Sequence, residues 1–348
     1  PFPRGYVHFL TAWHAYLSED FQLALRECEQ GDTLNSGVQC PLGEAEVRVG
    51  WAMTCHALGN DDEAHRLLAS LEAQVQISSN YLLGRCLWLM AKARLHLDAG
   101  QESVGLTALR EGLALAAETG QHYLPWGRPD ETARILVQAL EEQIEPVFVR
   151  SLITNLQIKP VGVARYSTAW PWAIKVYMLG KLEILLNDQP LQFGRKTPRK
   201  TLALLQAIIA YGGQQVPAET LCDLLWPESD GDQAYQALTT ELNRLRVLLK
   251  HKEVVTLQEN RLSLNQTRCW VDALAFEQLA KEALLLMEQG KQGQGEHLAK
   301  QARSLYAGAL LPTDDHLPWL HPTRDRLVRT ATRLGIGQVV SDSLLTEL

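Results

Sequence analysis

Four cationic side chains lie within six residues near the middle of the chain, and this spacing could bind an anion. They are Arg195, Lys196, Arg199 and Lys200. The same segment has the pattern of a helix start, with Thr197 as N-cap and Pro198 in the first helical position. Cations at a helix N-terminus oppose the helix dipole, so helix propensity does not explain them. The alternatives are contact with a phosphate, contact with an acidic face of the same protein, and simple solvation.

A second set of polar residues shares one face of a helix predicted over residues 233–249. The core-facing stripe of this helix consists of Leu238, Leu242, Leu245 and Leu249, which recur at helical spacing. A rotation of about 100° per residue places four residues on the opposite face and four on its flanks. The opposite face has Gln236, Thr240, Asn243 and Val247, and the flanks have Thr239, Arg244, Arg246 and Lys250. Amide side chains pair with adenine edges, methyl groups contact thymine methyls, and cations neutralise phosphates. The face therefore suits a DNA groove, with a solvated surface as the alternative.

The composition indicates a globular chain with a local charge excess. The 348 residues are 46% hydrophobic and 21% charged, and the formal net charge is -7. Residues 174–265 carry 11 Lys and Arg against 10 Asp and Glu, whereas the rest of the chain carries 22 against 30. Uniform nucleic-acid binding over the whole surface is thus excluded, but a local site is not.

The sequence predicts no membrane association. No apolar run approaches the roughly 20 residues needed to span a bilayer, and the N-terminus lacks the zones of a signal peptide. The six cysteines are scattered without a CxxC pair, as is typical of buried thiols in a reducing compartment. The cytoplasm is therefore the expected location.

Motifs for catalysis are missing from the sequence. There is no HExxH, no GxSxG and no GxxxxGK[ST]. Asp314, Asp315 and His316 could form a metal cluster, but a polar loop is the simpler interpretation. We therefore expect neither an enzyme nor a cofactor nor a metal site.

The first 156 residues are predicted to be helical and internally repetitive. Similar segments start at Ala12, Ala52 and Ala91, a period of about 40 residues, and each has a polar turn before a second amphipathic helix. Small residues such as Ala24 and Ala64 would let neighbouring helices approach closely. This pattern predicts tetratricopeptide-like stacking, with an ordinary helical bundle as the alternative.

The end of this region resembles the close of the helical-repeat module in regulators of the maltose-activator type. The matching residues are Gly120, Phe148, Val149, Arg150 and Leu152. The resemblance implies a surface that binds an inducer or a regulatory protein, downstream of a nucleotide-binding switch domain. Such a switch domain would have to lie upstream of Pro1.

Residues 157–173 have two prolines and no helical period, which predicts a linker. Strand signals follow at 174–178 and 182–186, and helical segments at 198–211, 217–225 and 233–249. A hairpin is predicted over 254–265, with Glu259 and Asn260 at its tip. This order of elements resembles the OmpR-type winged helix.

About 90 residues, with the clearest similarity from Thr197 to Leu249, further resemble the DNA-binding domain of the Streptomyces antibiotic regulatory protein family. The most specific matches are Leu225-Trp226 and the run from Asn243 to Arg246. The resemblance implies that Trp226 donates its indole N–H to a phosphate and that Gln236, Thr240, Asn243, Arg244 and Arg246 face DNA. We add Thr239, Lys250 and Arg261 to these candidate contacts. Three positions depart from this resemblance. Gln258 stands where relatives usually have Arg, an acidic Glu259 follows it, and Ala218 stands where some relatives have a phosphate-binding Arg.

The C-terminal part resembles the bacterial transcriptional activation domain. The matching residues are Val271, Asp272, Phe276, Tyr306, Gly308, Leu310, Leu311, Pro312, Trp319, Arg324 and Leu327. Asp272 is predicted to be a helix N-cap. The chain ends about halfway through the usual length of that domain, which implies a trimmed or truncated copy.

The predicted fold is mainly α, with tetratricopeptide-like helical repeats at 1–156 and a linker at 157–173. An α+β winged helix-turn-helix at 174–266 and a short α-helical repeat-like domain at 267–348 follow. The predicted function is a transcriptional regulator, with promoter DNA, RNA polymerase and an inducer or protein as partners. The alternative is a protein-interaction scaffold whose winged helix does not bind DNA.

Overall fold

The structure is a computed structural model that describes residues 2–36, 41–77, 82–122, 126–193, 198–314 and 317–336. The fold is mainly helical, with helical repeats and a winged-helix-like region, as the sequence predicts. The chain divides into two compact units, Pro1–Ala164 and Arg165–Leu348. Arg195, Lys196, Thr197, Asp315 and His316 lie outside the described residues.

The described part of the first unit is built from α-helices, several of which pack against the next helix in the chain. Its helices are α1 (Phe2–Leu17), α2 (Phe21–Ser36), α3 (Pro41–Ala57), α4 (Asp61–Ile77), α5 (Leu82–Asp98), α6 (Glu102–Thr119), α7 (Pro129–Glu141) and α8 (Pro146–Asn155). A short 3-10 helix follows at Gly162–Arg165. Ala12, Ala24, Ala52 and Ala64 are fully buried, as the close approach of helices requires.

The predicted repeat is visible in the turns that end α1, α3 and α5. Each turn has one residue in the left-handed conformation, namely Glu19, Gly59 and Gly100. The next residue donates its backbone N–H to a carbonyl five positions earlier, over 2.9, 2.9 and 2.8 Å. In the first two turns that residue, Asp20 or Asn60, also caps the following helix through its side chain. The same local structure therefore recurs about every 40 residues.

The second unit contains a winged-helix-like region followed by helices. Its elements are β1 (Ile174–Tyr177), β2 (Glu183–Leu186), β3 (Gln189–Pro190), α9 (Arg199–Ala210), β4 (Val216–Pro217), α10 (Ala218–Leu225), α11 (Gly231–Leu248), β5 (Val255–Gln258), β6 (Arg261–Leu264), β7 (Cys269–Val271), α12 (Asp272–Glu288), α13 (Gln292–Leu305), a 3-10 helix (Pro318–Leu320) and α14 (His321–Arg333). One sheet has the order β3-β2-β1-β7, and the other has the order β4-β6-β5.

The two sheets and the helices of the second unit share one apolar core. The leucine stripe of α11 packs into it, together with Ile208 of α9, Phe276 of α12 and Leu327 of α14. β5 and β6 form the predicted hairpin, which we call the wing. β7, which follows the wing in the chain, pairs in parallel with β1 and extends the first sheet. The predicted division at 266/267 therefore runs between elements that pack together, and it stays a prediction.

Several helix starts differ from the predictions. Pro198 is the N-cap of α9 and not its first helical residue. α11 begins at Gly231, two residues before the predicted start, because the Asp230 side chain accepts the backbone N–H of Gln233 at 2.8 Å. The pattern of apolar residues could not show this, since the first turn is polar and exposed.

The prediction that Asp272 is an N-cap is wrong. Val271 occupies the cap position, and Asp272 is the first residue of α12. The buried Asp272 carboxylate accepts backbone N–H groups from Met178 and Leu179, both at 2.9 Å, and from Ala273 at 2.6 Å. Burial raises the pKa of this carboxyl to about 6. Asp272 thus ties the end of β1 to the start of α12.

The predicted linker contains packed residues. Trp170 and Trp172 are buried, and the Trp172 indole donates to the Ser167 carbonyl at 2.9 Å. The Trp270 indole donates to the carbonyl of Tyr166 at 3.0 Å. The second half of residues 157–173 is thus fastened to the second unit.

Candidate nucleic-acid interface

α11 presents the polar face that its sequence predicts. Leu238, Leu242, Leu245 and Leu249 are at most 2% exposed and pack into the core. The exposed residues on the opposite side are Gln236, Thr240, Asn243 and Val247. Val247 is 78% exposed and lies next to the polar residues of this face. A methyl-bearing side chain is therefore available between polar neighbours.

The two threonines of this face use their hydroxyl protons within the helix. Thr239 and Thr240 both donate to the carbonyl of Gln236 at 2.9 Å. Thr240 is exposed and Thr239 is half-buried. Their hydroxyl oxygens can still accept a hydrogen bond, so Thr240 suits a base amino group.

A buried carboxylate connects α11 to α9 and holds one of the candidate cations. The Glu241 side chain accepts the Thr201 hydroxyl at 2.6 Å and the Arg244 guanidinium at 2.5 Å. Arg244 is still 66% exposed at its side chain. Its guanidinium has five N–H donors, so this one contact leaves others for a phosphate. Glu241 consequently orients the Arg244 guanidinium and leaves some of its N–H groups available to a phosphate.

Arg246 makes a different set of contacts, which the sequence did not indicate. Its Nε and Nη2 both donate to the carbonyl of Val255 in β5, at 3.0 and 2.8 Å. Its Nη1 donates to Asn243 Oδ1 at 3.4 Å. Arg246 therefore braces α11 against the wing and also orients a candidate base-contacting amide.

Lys200 has an intramolecular role in the described structure. Its ammonium donates to the Leu225 carbonyl at 2.6 Å and lies 5.5 Å from the centroid of the Trp226 ring. A cation at the last carbonyls of a helix complements the helix dipole, here that of α10. Lys200 thus stabilises the end of α10 and contacts Trp226, although it is exposed, as Arg199 is.

The wing has a tight tip that is fastened to the helices. Glu259 and Asn260 have φ values of 48° and 56°, as in a two-residue hairpin turn of type I′. The Asn260 carbonyl accepts the Ala218 N–H at 2.8 Å, and its side chain accepts the Tyr235 hydroxyl at 3.3 Å. Arg261 donates to the Gln215 carbonyl at 3.0 Å while remaining exposed.

Charge is unevenly distributed along α10 and α11. Residues 219–232 contain five carboxylates and no Lys or Arg, whereas residues 243–252 contain four cations and no carboxylate. The four cations, which we call the basic half of α11, are Arg244 and Arg246 near its C-terminal end and Lys250 and Lys252 just after it. A polyanion would therefore be attracted most strongly to the basic half of α11.

The structure brings most of the predicted residues to one surface but leaves their DNA contacts as predictions. The polar face of α11 and its flanking cations are adjacent, and Trp226 and Arg261 both border the groove beside the wing tip. Sequence reasoning missed Thr201, Tyr235 and Glu241, which orient the candidates. Thr201 and Glu241 are 40 residues apart and Tyr235 and Asn260 are 25 apart, so no local pattern in the sequence indicates these contacts. Glu241 and Arg244 are three residues apart on α11, a spacing that the sequence does show.

Comparisons with known proteins give little similarity. No protein-family model matches the chain, and no curated protein matches it. Among similar solved structures is Mycobacterium tuberculosis EmbR in complex with a low-affinity phosphopeptide, with 19% identity and a TM-score of 0.38. The match covers 47% of this chain and 44% of that chain, so it spans less than half of either protein. Within the described residues, no helix has the length and apolar character to cross a membrane.

Proposed function

We propose that this chain is a DNA-binding transcriptional regulator, acting as an activator, in which α11 enters the major groove of promoter DNA. The observation that carries the proposal is the exposed face of Gln236, Thr240, Asn243 and Val247 opposite a buried leucine stripe. A face of amide, hydroxyl and methyl groups can distinguish base pairs, and the basic half of α11 adds phosphate contacts.

Each part of the chain has a role in this proposal. Residues 174–266 bind DNA through Trp226, Arg261 and the α11 residues, with Thr239, Arg244 and Lys250 on the flanks, while Arg246 positions the wing against α11. Arg195, Lys196 and Arg199 are further candidates for phosphate or an acidic partner. Residues 267–348 contact RNA polymerase, and the helical repeats bind an inducer or a regulatory protein.

A protein-interaction scaffold is the second candidate, and a specific observation favours it. Arg246 and Arg261 both donate to backbone carbonyls, and Glu259 places a carboxylate at the wing tip. A winged helix with these features could contact a protein instead of a nucleic acid. Binding of DNA with sequence preference would exclude this candidate.

The deciding experiment is a gel-shift titration of the full chain. The probe is the promoter region adjoining the encoding gene, and the competitor is scrambled DNA of the same composition. We expect Asn243→Ala and Gln236→Ala each to lower the specific affinity by about 1–3 kcal/mol without changing non-specific affinity. Gln294→Ala, an exposed glutamine of α13, is the matched control and should behave as wild type.

Salt dependence gives a second criterion. A site with several phosphate contacts loses affinity steeply as salt rises, because bound counterions are released. Affinity that does not change between low and physiological salt would contradict the proposal. So would an unchanged ratio of specific to non-specific affinity in folded Asn243→Ala and Gln236→Ala.

A further inference from the structure

The first unit contains an apolar cleft that the DNA-binding proposal does not use. It lies between α3, α5, α7 and the residues Trp126 and Gly127; its cavity volume is about 50 Å³, room for about three to five water-sized groups, and it opens to solvent on one side. Its apolar walls are formed by Val49, Met53, Leu87, Met90 and Ile135. A mostly apolar cleft with a few polar groups at one end is the usual form of a small-molecule site, and this volume limits the part of a ligand inside it to a few heavy atoms.

The space exists because the surrounding residues cannot close it. Trp126 is 2% exposed, and its indole N–H donates to the carbonyl of Glu46 at 3.0 Å. A Cβ at Gly50 would lie 2.1 Å from the Trp126 ring, so only glycine lets the ring pack against α3. Trp126 is thus held in place as a rigid wall of the cleft.

One end of the cleft is polar and has an unused donor. Arg94 is nearly fully buried; it donates Nη1 to the Trp126 carbonyl at 3.0 Å and pairs Nη2 with Glu131. Within the described residues its Nε–H has no hydrogen-bond partner, and an Asp98 carboxylate oxygen lies 3.9 Å from it, too far for a hydrogen bond. A buried donor without a partner costs free energy, which a bound acceptor recovers.

The neighbouring carboxylate cannot satisfy this donor. Glu131 already accepts the Arg128 backbone N–H at 2.9 Å, the Arg128 guanidinium at 2.9 Å and the Tyr16 hydroxyl at 3.2 Å. Its oxygens are therefore engaged by three groups besides Arg94. The group of the Arg94–Glu131 pair that remains without a hydrogen bond is therefore a donor, the Arg94 Nε–H.

We infer that the cleft binds a small, slender apolar molecule with a single hydrogen-bond-accepting oxygen, a carbonyl or a carboxylate. The apolar body lies against the methionine, leucine and tryptophan walls, and the oxygen lies at the Arg94 end. This inference rests on the proposal that the first unit binds a ligand, and it specifies the site and the chemistry. It does not depend on DNA binding by the second unit.

Three six-carbon probes test the head-group requirement on the full chain. They are 2-hexanone, hexanoate and hexylammonium, whose apolar bodies are alike and of which only the first two have an acceptor. Binding is measured by saturation-transfer NMR and by the shift in melting temperature. We expect 2-hexanone to bind with a dissociation constant on the order of 1 mM, as its size allows, and hexylammonium to bind at least tenfold more weakly.

Two valine substitutions test the location. Val49→Phe fills the cleft and should weaken 2-hexanone binding about tenfold, whereas Val104→Phe, at a site 45% exposed on α6, should leave it unchanged. Val49→Leu is the milder variant if Val49→Phe does not fold. Arg94→Lys, which removes the Nε–H, should reduce the preference for 2-hexanone over hexylammonium.

The outcomes separate this inference from the DNA-binding proposal. Equal binding of 2-hexanone and hexylammonium, no saturable binding to the folded wild type, or unchanged binding in a folded Val49 variant would overturn the inference. Gel shifts run on the same preparations report on DNA binding alone. Loss of one activity with the other intact would therefore identify which proposal has failed.

Discussion

Replacement of Arg246 by Gln tests whether this residue positions the wing or neutralises phosphate. Both Nε and Nη2 donate to the Val255 carbonyl, so the two hydrogen bonds share one acceptor and count as one charge-assisted bond. Such a bond contributes about 1.5–3 kcal/mol, and the half-buried setting favours the lower end, about 1.5 kcal/mol. For a unit of this size, that free energy corresponds to a fall in melting temperature of about 3–6 °C.

The matched control is Arg244→Gln, two residues away on the same helix. Arg244 pairs with Glu241 but is 66% exposed at its side chain, so its loss should cost under about 1 kcal/mol. For the salt dependence of DNA binding, the order of the two variants reverses, and Arg244→Gln has the larger effect. Arg244→Gln should lower the slope of log affinity against log salt by about one, because a phosphate contact is lost. Arg246→Gln should weaken binding at every salt concentration with the slope unchanged.

The assay combines thermal unfolding of the full chain, amide hydrogen exchange in β5, and DNA titrations at several salt concentrations. Faster exchange in β5 of Arg246→Gln, absent from Arg244→Gln, would locate the effect at the wing. If Arg246→Gln has the same melting temperature as the wild type, the inference that Arg246 braces α11 against the wing is wrong. If Arg246→Gln lowers the slope of log affinity against log salt as Arg244→Gln does, then Arg246 contacts a phosphate.

Three further predictions concern stability. Lys200→Met should cost about 1 kcal/mol in chemical denaturation, because the Leu225 carbonyl loses its cation, whereas Arg199→Met, also at the start of α9, should cost almost nothing. Asp272→Ala should cost about 3 kcal/mol, because two buried N–H groups at the end of β1 lose their acceptor; an unfolding midpoint like that of wild type would contradict this. Burial raises the pKa of Glu46 to about 7 from 4.5, so the folded state holds this proton more tightly and stability falls as pH rises between those values. Glu46→Gln should therefore be more stable than wild type above pH 7, by about 1–2 kcal/mol after allowance for partial exposure, and should match it below about pH 4.5; a constant difference across that range would show that ionisation is not the cause.

Long periodic patterns predicted the elements of this protein well. The leucine stripe of α11 and the hairpin tip at Glu259 and Asn260 lie where the sequence places them, because each follows from local spacing or turn chemistry. The short strands β3, β4 and β7 were not predicted. Two or three residues show no periodicity, and their pairing depends on partners elsewhere in the chain.

The sequence predicted which side chains of the candidate site share a helix face, but it did not predict which groups they contact. The exposure of Gln236, Asn243 and Val247 follows from helix geometry alone. The contact of Lys200 with the Leu225 carbonyl could not be inferred in this way, since the two residues meet only when α9 packs against α10. The sequence suggested an anionic partner for Lys200, and the partner in the structure is the partial negative charge of a helix end.

The pairing of β7 with β1 limits where this chain can be divided. A fragment that ended at residue 266 would lack β7 and would expose the backbone edge of β1, whose Ile174 and Val176 are buried in the intact chain. An uncovered apolar edge strand recruits other chains and favours aggregation. Gene fusions or recombination events that keep this region functional therefore have to join it downstream of Val271, so the wing and the start of α12 are inherited as one piece.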